Sequence, residues 1–135
     1  MQLRYLTAAA LLAIVGVAAV QSVKPVSAAS AALTSLDPDS DGTVDVTEAK
    51  NAGVKAFSKL DPDKDGTLDA KELTGRVDGA GLKTADPDTD GTLDQKEYED
   101  LVVLRFKAAD PDNDGTLDDK ELATDAGKSF LLLVE

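Results

Sequence analysis

The chain contains no cysteine, no histidine and no tryptophan, and its only methionine is Met1. Without Cys there is no disulfide and no thiolate. Without His there is no imidazole base and no ordinary zinc, copper or non-haem iron site. Aromatic residues make up only 4% of the 135 residues, so a large aromatic core is excluded and the length suits one small domain. Basic residues are also scarce, at 14 against 26 acidic. Binding phosphate backbones needs clustered Lys and Arg, so nucleic acid is not an expected partner. No pair of acids stands apart for carboxylate-only hydrolysis, and no enzyme activity is expected.

The longest hydrophobic run, Leu6 to Val20, follows Arg4 and precedes Val26-Ser27-Ala28. A positive start, an apolar stretch and a small-residue site describe a secretory signal. The run is shorter than the roughly 20 apolar residues that span a bilayer. Residues 1–28 are therefore expected to be cleaved, leaving residues 29–135 as one domain, periplasmic and free of the membrane. Without Cys there is nothing to carry a lipid anchor. Cleavage removes Arg4 and Lys24 but no acid, so 14 basic residues fall to 12 against 26 acids, a net charge of −14.

Twenty of those acids recur in one twelve-residue pattern, Asp-Pro-Asp-x-Asp-Gly-Thr-[Val/Leu]-Asp-x-x-Glu, starting at Asp37, Asp61, Asp86 and Asp110. Acids at positions 1, 3, 5, 9 and 12 with Gly at position 6 match the EF-hand loop, whose oxygens surround a hard cation. The expected ligands in loop 1 are Asp37, Asp39, Asp41, the Thr43 carbonyl, Asp45 and Glu48. In loop 2 they are Asp61, Asp63, Asp65, Thr67, Asp69 and Glu72. Loop 3 offers Asp86, Asp88, Asp90, Thr92, Asp94 and Glu97. Loop 4 offers Asp110, Asp112, Asp114, Thr116, Asp118 and Glu121. Up to four metal ions are the implied cargo. Gly42, Gly66, Gly91 and Gly115 permit a backbone angle costly for other residues.

Between the loops lie Ala49–Leu60, Leu73–Ala85 and Tyr98–Ala109, of 12, 13 and 12 residues. Twelve residues make one helix of about 18 Å, so each helix must leave one loop and enter the next. Ala49, Gly53, Phe57 and Leu60 recur at helical spacing, as do Tyr98, Val102, Phe106 and Ala109. In the middle spacer Gly79-Ala80-Gly81 breaks the register, and two short helical pieces with a bend are expected. That bend brings loops 2 and 3 together and returns loop 4 to loop 1. The position-8 residues Val44, Leu68, Leu93 and Leu117 should then bridge loop 2 to loop 3 and loop 1 to loop 4. Leu122–Val134 reads as a closing helix with Ala126, Phe130, Leu131 and Leu133 available to the core. The fold class is all-α, a small helical bundle with four peripheral loops.

Three details separate these loops from those of an ordinary calcium sensor. Asp at position 9 brings each loop to five acids, which a trivalent ion balances better than a divalent one. Pro at position 2 (Pro38, Pro62, Pro87, Pro111) biases the preceding Asp toward extended geometry. The Met-rich groove that sensors expose to target helices cannot form. Crowded carboxylates should keep the metal-free chain loose, with binding energy becoming folding energy.

A signal peptide, four loops with Pro at position 2 and Asp at position 9, and spacers of 12–13 residues together resemble lanmodulin, a family of periplasmic lanthanide-binding proteins. The resemblance covers about Leu33 to Val134. It implies a small helical bundle, lanthanide(III) ions as cargo, and a role in lanthanide capture and trafficking linked to lanthanide-dependent alcohol oxidation. The alternatives are a periplasmic calcium buffer or calcium-responsive module and a calcium-loaded adhesion repeat of the dockerin kind; the latter uses two loops rather than four. A protein partner is not identifiable from the sequence.

Overall fold

The computed structural model describes residues 28–135. The leader reading for residues 1–28 lies outside them, save for Ala28, the first residue of α1. Helices α1 (Ala28–Leu36), α2 (Val46–Leu60), α3 (Gly79–Ala85), α4 (Gln95–Ala109), α5 (Asp119–Leu122) and α6 (Asp125–Val134) alternate with two-residue strands. The strands are β1 (Val44–Asp45), β2 (Thr67–Leu68), β3 (Leu93–Asp94) and β4 (Thr116–Leu117). None of the described helices is long and apolar enough to cross a membrane.

The acid repeat itself sets the helix boundaries. Asp45, Asp94 and Asp118 each N-cap the helix that leaves their loop, and the Glu three residues on returns a carboxylate oxygen to the Asp N–H. This reciprocal capping box satisfies donors that a helix start leaves unpaired. At the other end, α1, α2, α3 and α4 each stop one residue before an Asp-Pro pair. Proline disfavours helical geometry in the residue before it. Asp61, Asp86 and Asp110 accordingly sit at ψ 79°, 83° and 83°. Position-2 proline is thus a helix terminator that hands the chain to the loop.

Helices α2 and α4 form the centre of the bundle, and α6 packs across both. Gly53 lets α2 approach α4 closely, since a Cβ there would meet Val102 Cγ2 at 3.0 Å. Two edge-to-face ring pairs, Phe57–Tyr98 and Phe106–Phe130, each with centroids 5.8 Å apart, fill the core. Such pairs contribute about 0.5–1.5 kcal/mol beyond area burial. The Ser30 hydroxyl donates to Asp119 Oδ1 at 2.8 Å, linking α1 to α5.

Both expected loop pairings are present. β1 pairs antiparallel with β4, with Val44 opposite Leu117, and β2 pairs with β3, with Leu68 opposite Leu93. All four position-8 side chains are fully buried. The first and third spacers are the single continuous helices expected from their periodicity.

Two local expectations need correction. The first half of the middle spacer is a run of turns, not a helical piece. Leu73 N–H bonds to Asp69 O, and Arg76 and Val77 N–H both return to Leu73 O. Gly75, inside the run, sits in the left-handed region at φ 81° and lets the chain turn back for those two bonds. Gly79-Ala80-Gly81 does not interrupt a helix but opens α3, because Asp78 accepts from Gly81 N–H as its N-cap. The closing segment is likewise two helices. Thr124 donates to Glu121 O at 2.6 Å and accepts from Gly127 N–H at 3.0 Å, which stops α5 and starts α6. Gly127 permits this tight corner, since a Cβ there would lie 2.2 Å from Glu121 O. Phe130 and Leu133 are buried as expected, while Ala126 and Leu131 are only partly buried.

Candidate metal sites

Each loop opens on a buried carboxylate. Asp37, Asp61, Asp86 and Asp110 are 6–8% exposed. Each uses Oδ2 to accept the N–H of the loop glycine: Gly42 at 2.8 Å, Gly66 at 3.1 Å, Gly91 at 2.9 Å and Gly115 at 3.1 Å. Those glycines hold φ between 88° and 91°, an angle that a Cβ would strain. The position-4 residues Ser40, Lys64, Thr89 and Asn113 also adopt positive φ, from 57° to 63°. All four are exposed, so their side chains are set aside from the loop interior.

One carboxylate oxygen each from positions 1, 3 and 12 converges in every loop. The groups are Asp37, Asp39 and Glu48; Asp61, Asp63 and Glu72; Asp86, Asp88 and Glu97; and Asp110, Asp112 and Glu121. Within each group the oxygens lie within 4.8 Å of one another. A hard cation with oxygens at about 2.3–2.6 Å fits among atoms so spaced. Glu48 Oε1 and Asp110 Oδ1 are buried without a hydrogen-bond partner. Leaving such oxygens unpaired is costly, and a cation in loop 1 would satisfy the first and one in loop 4 the second. The donor set is all oxygen, which selects hard ions.

The other two acids of each loop are occupied elsewhere. At position 5, Asp41 Oδ1 accepts both the N–H and the hydroxyl of Thr43, at 2.9 and 2.7 Å. Asp65, Asp90 and Asp114 repeat this with Thr67, Thr92 and Thr116. At position 9, Asp45, Asp69, Asp94 and Asp118 accept the N–H of Glu48, Glu72, Glu97 and Glu121. The position-12 glutamate answers with Oε2, accepting the position-9 N–H at 2.9 Å in every loop. Position 9 thus orients the closing glutamate in every loop and, in loops 1, 3 and 4, the exit helix with it. The Asp-x-x-Glu spacing carried that capping signal in the sequence.

The electrostatics report crowding. Burial pushes the Asp37 carboxyl up, but hydrogen bonds from Gly42 N–H, from Asp39 and from the Ser40 and Asp41 N–H groups outweigh it and hold it below the ordinary range. Asp39 is pushed up, first by its hydrogen bond to Asp37. Glu48 and Glu121 are raised by burial and by the acids around them. Glu97 is raised as well, burial and the charges of Asp88, Asp94 and Asp86 outweighing the Asp94 N–H bond. Like charges held this close favour protonation or a cation.

The EF-hand family model matches residues 54–75 and 102–124, stretches that contain loops 2 and 4. No curated protein matches the chain. Family matches and four acid groups support an EF-hand protein. Its fold is the helical EF-hand fold with four loops, and EF-hand modules serve metal binding rather than catalysis.

Proposed function

We propose that this protein binds lanthanide(III) ions selectively over calcium in the periplasm, folds on binding, and serves lanthanide capture and trafficking. The five acids of each loop and the Thr carbonyl at position 7 are its ligands. The observation that carries the reading is the convergence of three carboxylates in all four loops, with two more acids held beside them. Five acids leave a loop at −3 with a divalent ion and −2 with a trivalent one, so the loops favour the higher charge. Pro at position 2 and the 12–13-residue spacers, features shared with lanmodulin, support the same reading. The signal-like leader supports export.

One observation favours a second reading, a calcium buffer or calcium-responsive module. The position-5 and position-9 acids are tied into hydrogen bonds, and three converging carboxylates serve calcium equally well. The two readings separate in a far-ultraviolet circular dichroism titration of metal-free protein, in chelator-buffered Ca²⁺ and in chelator-buffered La³⁺ or Tb³⁺. Folding at free lanthanide many orders of magnitude below the calcium requirement supports lanthanide binding. Folding by calcium at about micromolar levels, the range of calcium sensors, supports the calcium module. Equal helicity with and without metal overturns metal-driven folding. Tyr98, directly after Glu97, offers a sensitiser for Tb³⁺ emission from loop 3.

A further inference from the structure

Among the described residues there are two arginines, Arg76 and Arg105. Both line one cleft of about 420 Å³ where the turn before α3 meets α4 and α6; Val77, Asp78, Ser129 and Leu132 also wall it. Neither guanidinium is spent on an acid. The ion pairs among the described residues are Lys96–Asp100 and Lys128–Asp125. Arg76 Nη1 donates to Leu132 O at 2.6 Å, which fixes that guanidinium against the C-terminal end of α6. Arg105 is partly buried, yet it makes no hydrogen bond or ion pair within the described residues. The one acid in the wall, Asp78, accepts Gly81 N–H on Oδ1 at 2.7 Å and keeps its charge, so the two guanidiniums leave the cleft at net +1.

With Asp78 counted, the concavity still carries an excess positive charge, which favours a bound anion. Helix capping accounts for Arg76 but not for Arg105. A guanidinium fork matches the paired oxygens of a carboxylate or phosphate. The cleft volume falls within the range of small-molecule sites. Val77 and the half-exposed Leu132 supply an apolar wall for a short hydrocarbon body. Elsewhere the strongly acidic surface repels anions.

We propose that this cleft binds a small organic oxyanion, carboxylate- or phosphate-headed, held between Arg76 and Arg105. The inference does not depend on which metal fills the loops. Its test follows the arginine Nε–Hε signals of the ¹⁵N-labelled full chain, calcium-loaded, by NMR. Glutarate and methylphosphonate are titrated separately at constant ionic strength. The backbone N–H signals of Gly42, Gly66, Gly91 and Gly115 serve as internal reference, since they also report any calcium stripped from the loops. A saturable shift of the Arg76 and Arg105 signals, with the loop glycines still, is expected for at least one probe. The probe that binds more tightly identifies the head group. Arg105→Gln should weaken binding about tenfold or more, because a charge-assisted bidentate contact is lost. Arg105→Lys, which keeps the charge but not the fork, should fall between. No saturable shift with either probe, parallel movement of the arginine and loop-glycine signals, or wild-type binding by both variants overturns the proposal.

Discussion

The Tyr98 hydroxyl donates to the main-chain carbonyl of Leu133 at 2.6 Å, inside the core. Tyr98 directly follows Glu97, which closes loop 3, while Leu133 lies near the end of α6, the helix after α5 beyond loop 4. One buried bond therefore ties the start of the helix leaving loop 3 to the C-terminal helix α6. The last carbonyls of a helix have no partner within it, so this one relies on Tyr98. Tyr98→Phe keeps the ring against Phe57 and removes only the hydroxyl. It should cost about 1–3 kcal/mol, the penalty of a buried unsatisfied acceptor. Urea unfolding of the calcium-loaded protein measures it, and an unchanged midpoint would show that the bond is not needed.

The same hydroxyl predicts an alkaline limit to stability. Burial pushes the Tyr98 phenol up to about 12, with Arg76 opposing weakly, against an ordinary value of 10.0. The folded state thus holds the neutral phenol more firmly than the unfolded state does. Its contribution is complete below pH 10 and is lost as pH rises toward 12. Tyrosinate absorbance should show Tyr98 ionising above the ordinary tyrosine value of 10.0, and thermal stability should fall across that window. In Tyr98→Phe the fall should be smaller.

The period of the acid repeat made the shared helices and both loop pairings legible, because spacers of twelve residues leave room for one helix only. The position-8 residues could be named for the same reason: an EF loop has one bridge position. What stayed hidden depended on which hydrogen bonds would win. Asp45 and its equivalents have ligand chemistry, but the backbone N–H of the closing glutamate three residues on is nearer at hand and claims them. Gly79-Ala80-Gly81 looked like a break by propensity, yet Asp78 caps it into a helix. Thr124 splits the closing segment by capping that periodicity does not register. Arg76 and Arg105 carry no motif, since their meeting depends on a turn and two helices far apart in sequence.

Loop pairing should make binding cooperative within pairs. Leu93 is fully buried opposite Leu68 across the β2–β3 bridge. Leu93→Ala opens a cavity beneath both loops and should cost roughly 2–5 kcal/mol. Metal affinity should drop in loops 2 and 3 together, with loops 1 and 4 less affected. Glycine N–H signals at Gly66 and Gly91, compared with Gly42 and Gly115 during titration, read the four loops separately. Equal weakening in all four would mean that the bundle, rather than the bridge, transmits the loss.

Loop 3 carries backbone strain that can be relieved without touching a carboxylate. Thr89 sits at φ 63°, where a β-branched residue is out of place. The left-handed region costs L-residues roughly 1–2 kcal/mol, and asparagine tolerates it best after glycine. Loop 4 already has Asn113 at the equivalent position, at φ 57°. The Thr89 contact that matters is its main-chain N–H, donated to Asp86 Oδ1 at 2.6 Å, and any residue but proline keeps it. Thr89→Asn should therefore raise stability by up to about 1 kcal/mol and tighten metal binding in loop 3 relative to the other loops. Tb³⁺ emission sensitised by Tyr98 follows that loop. A weaker loop 3 in Thr89→Asn would mean that the threonine side chain contributes more than its backbone angle costs.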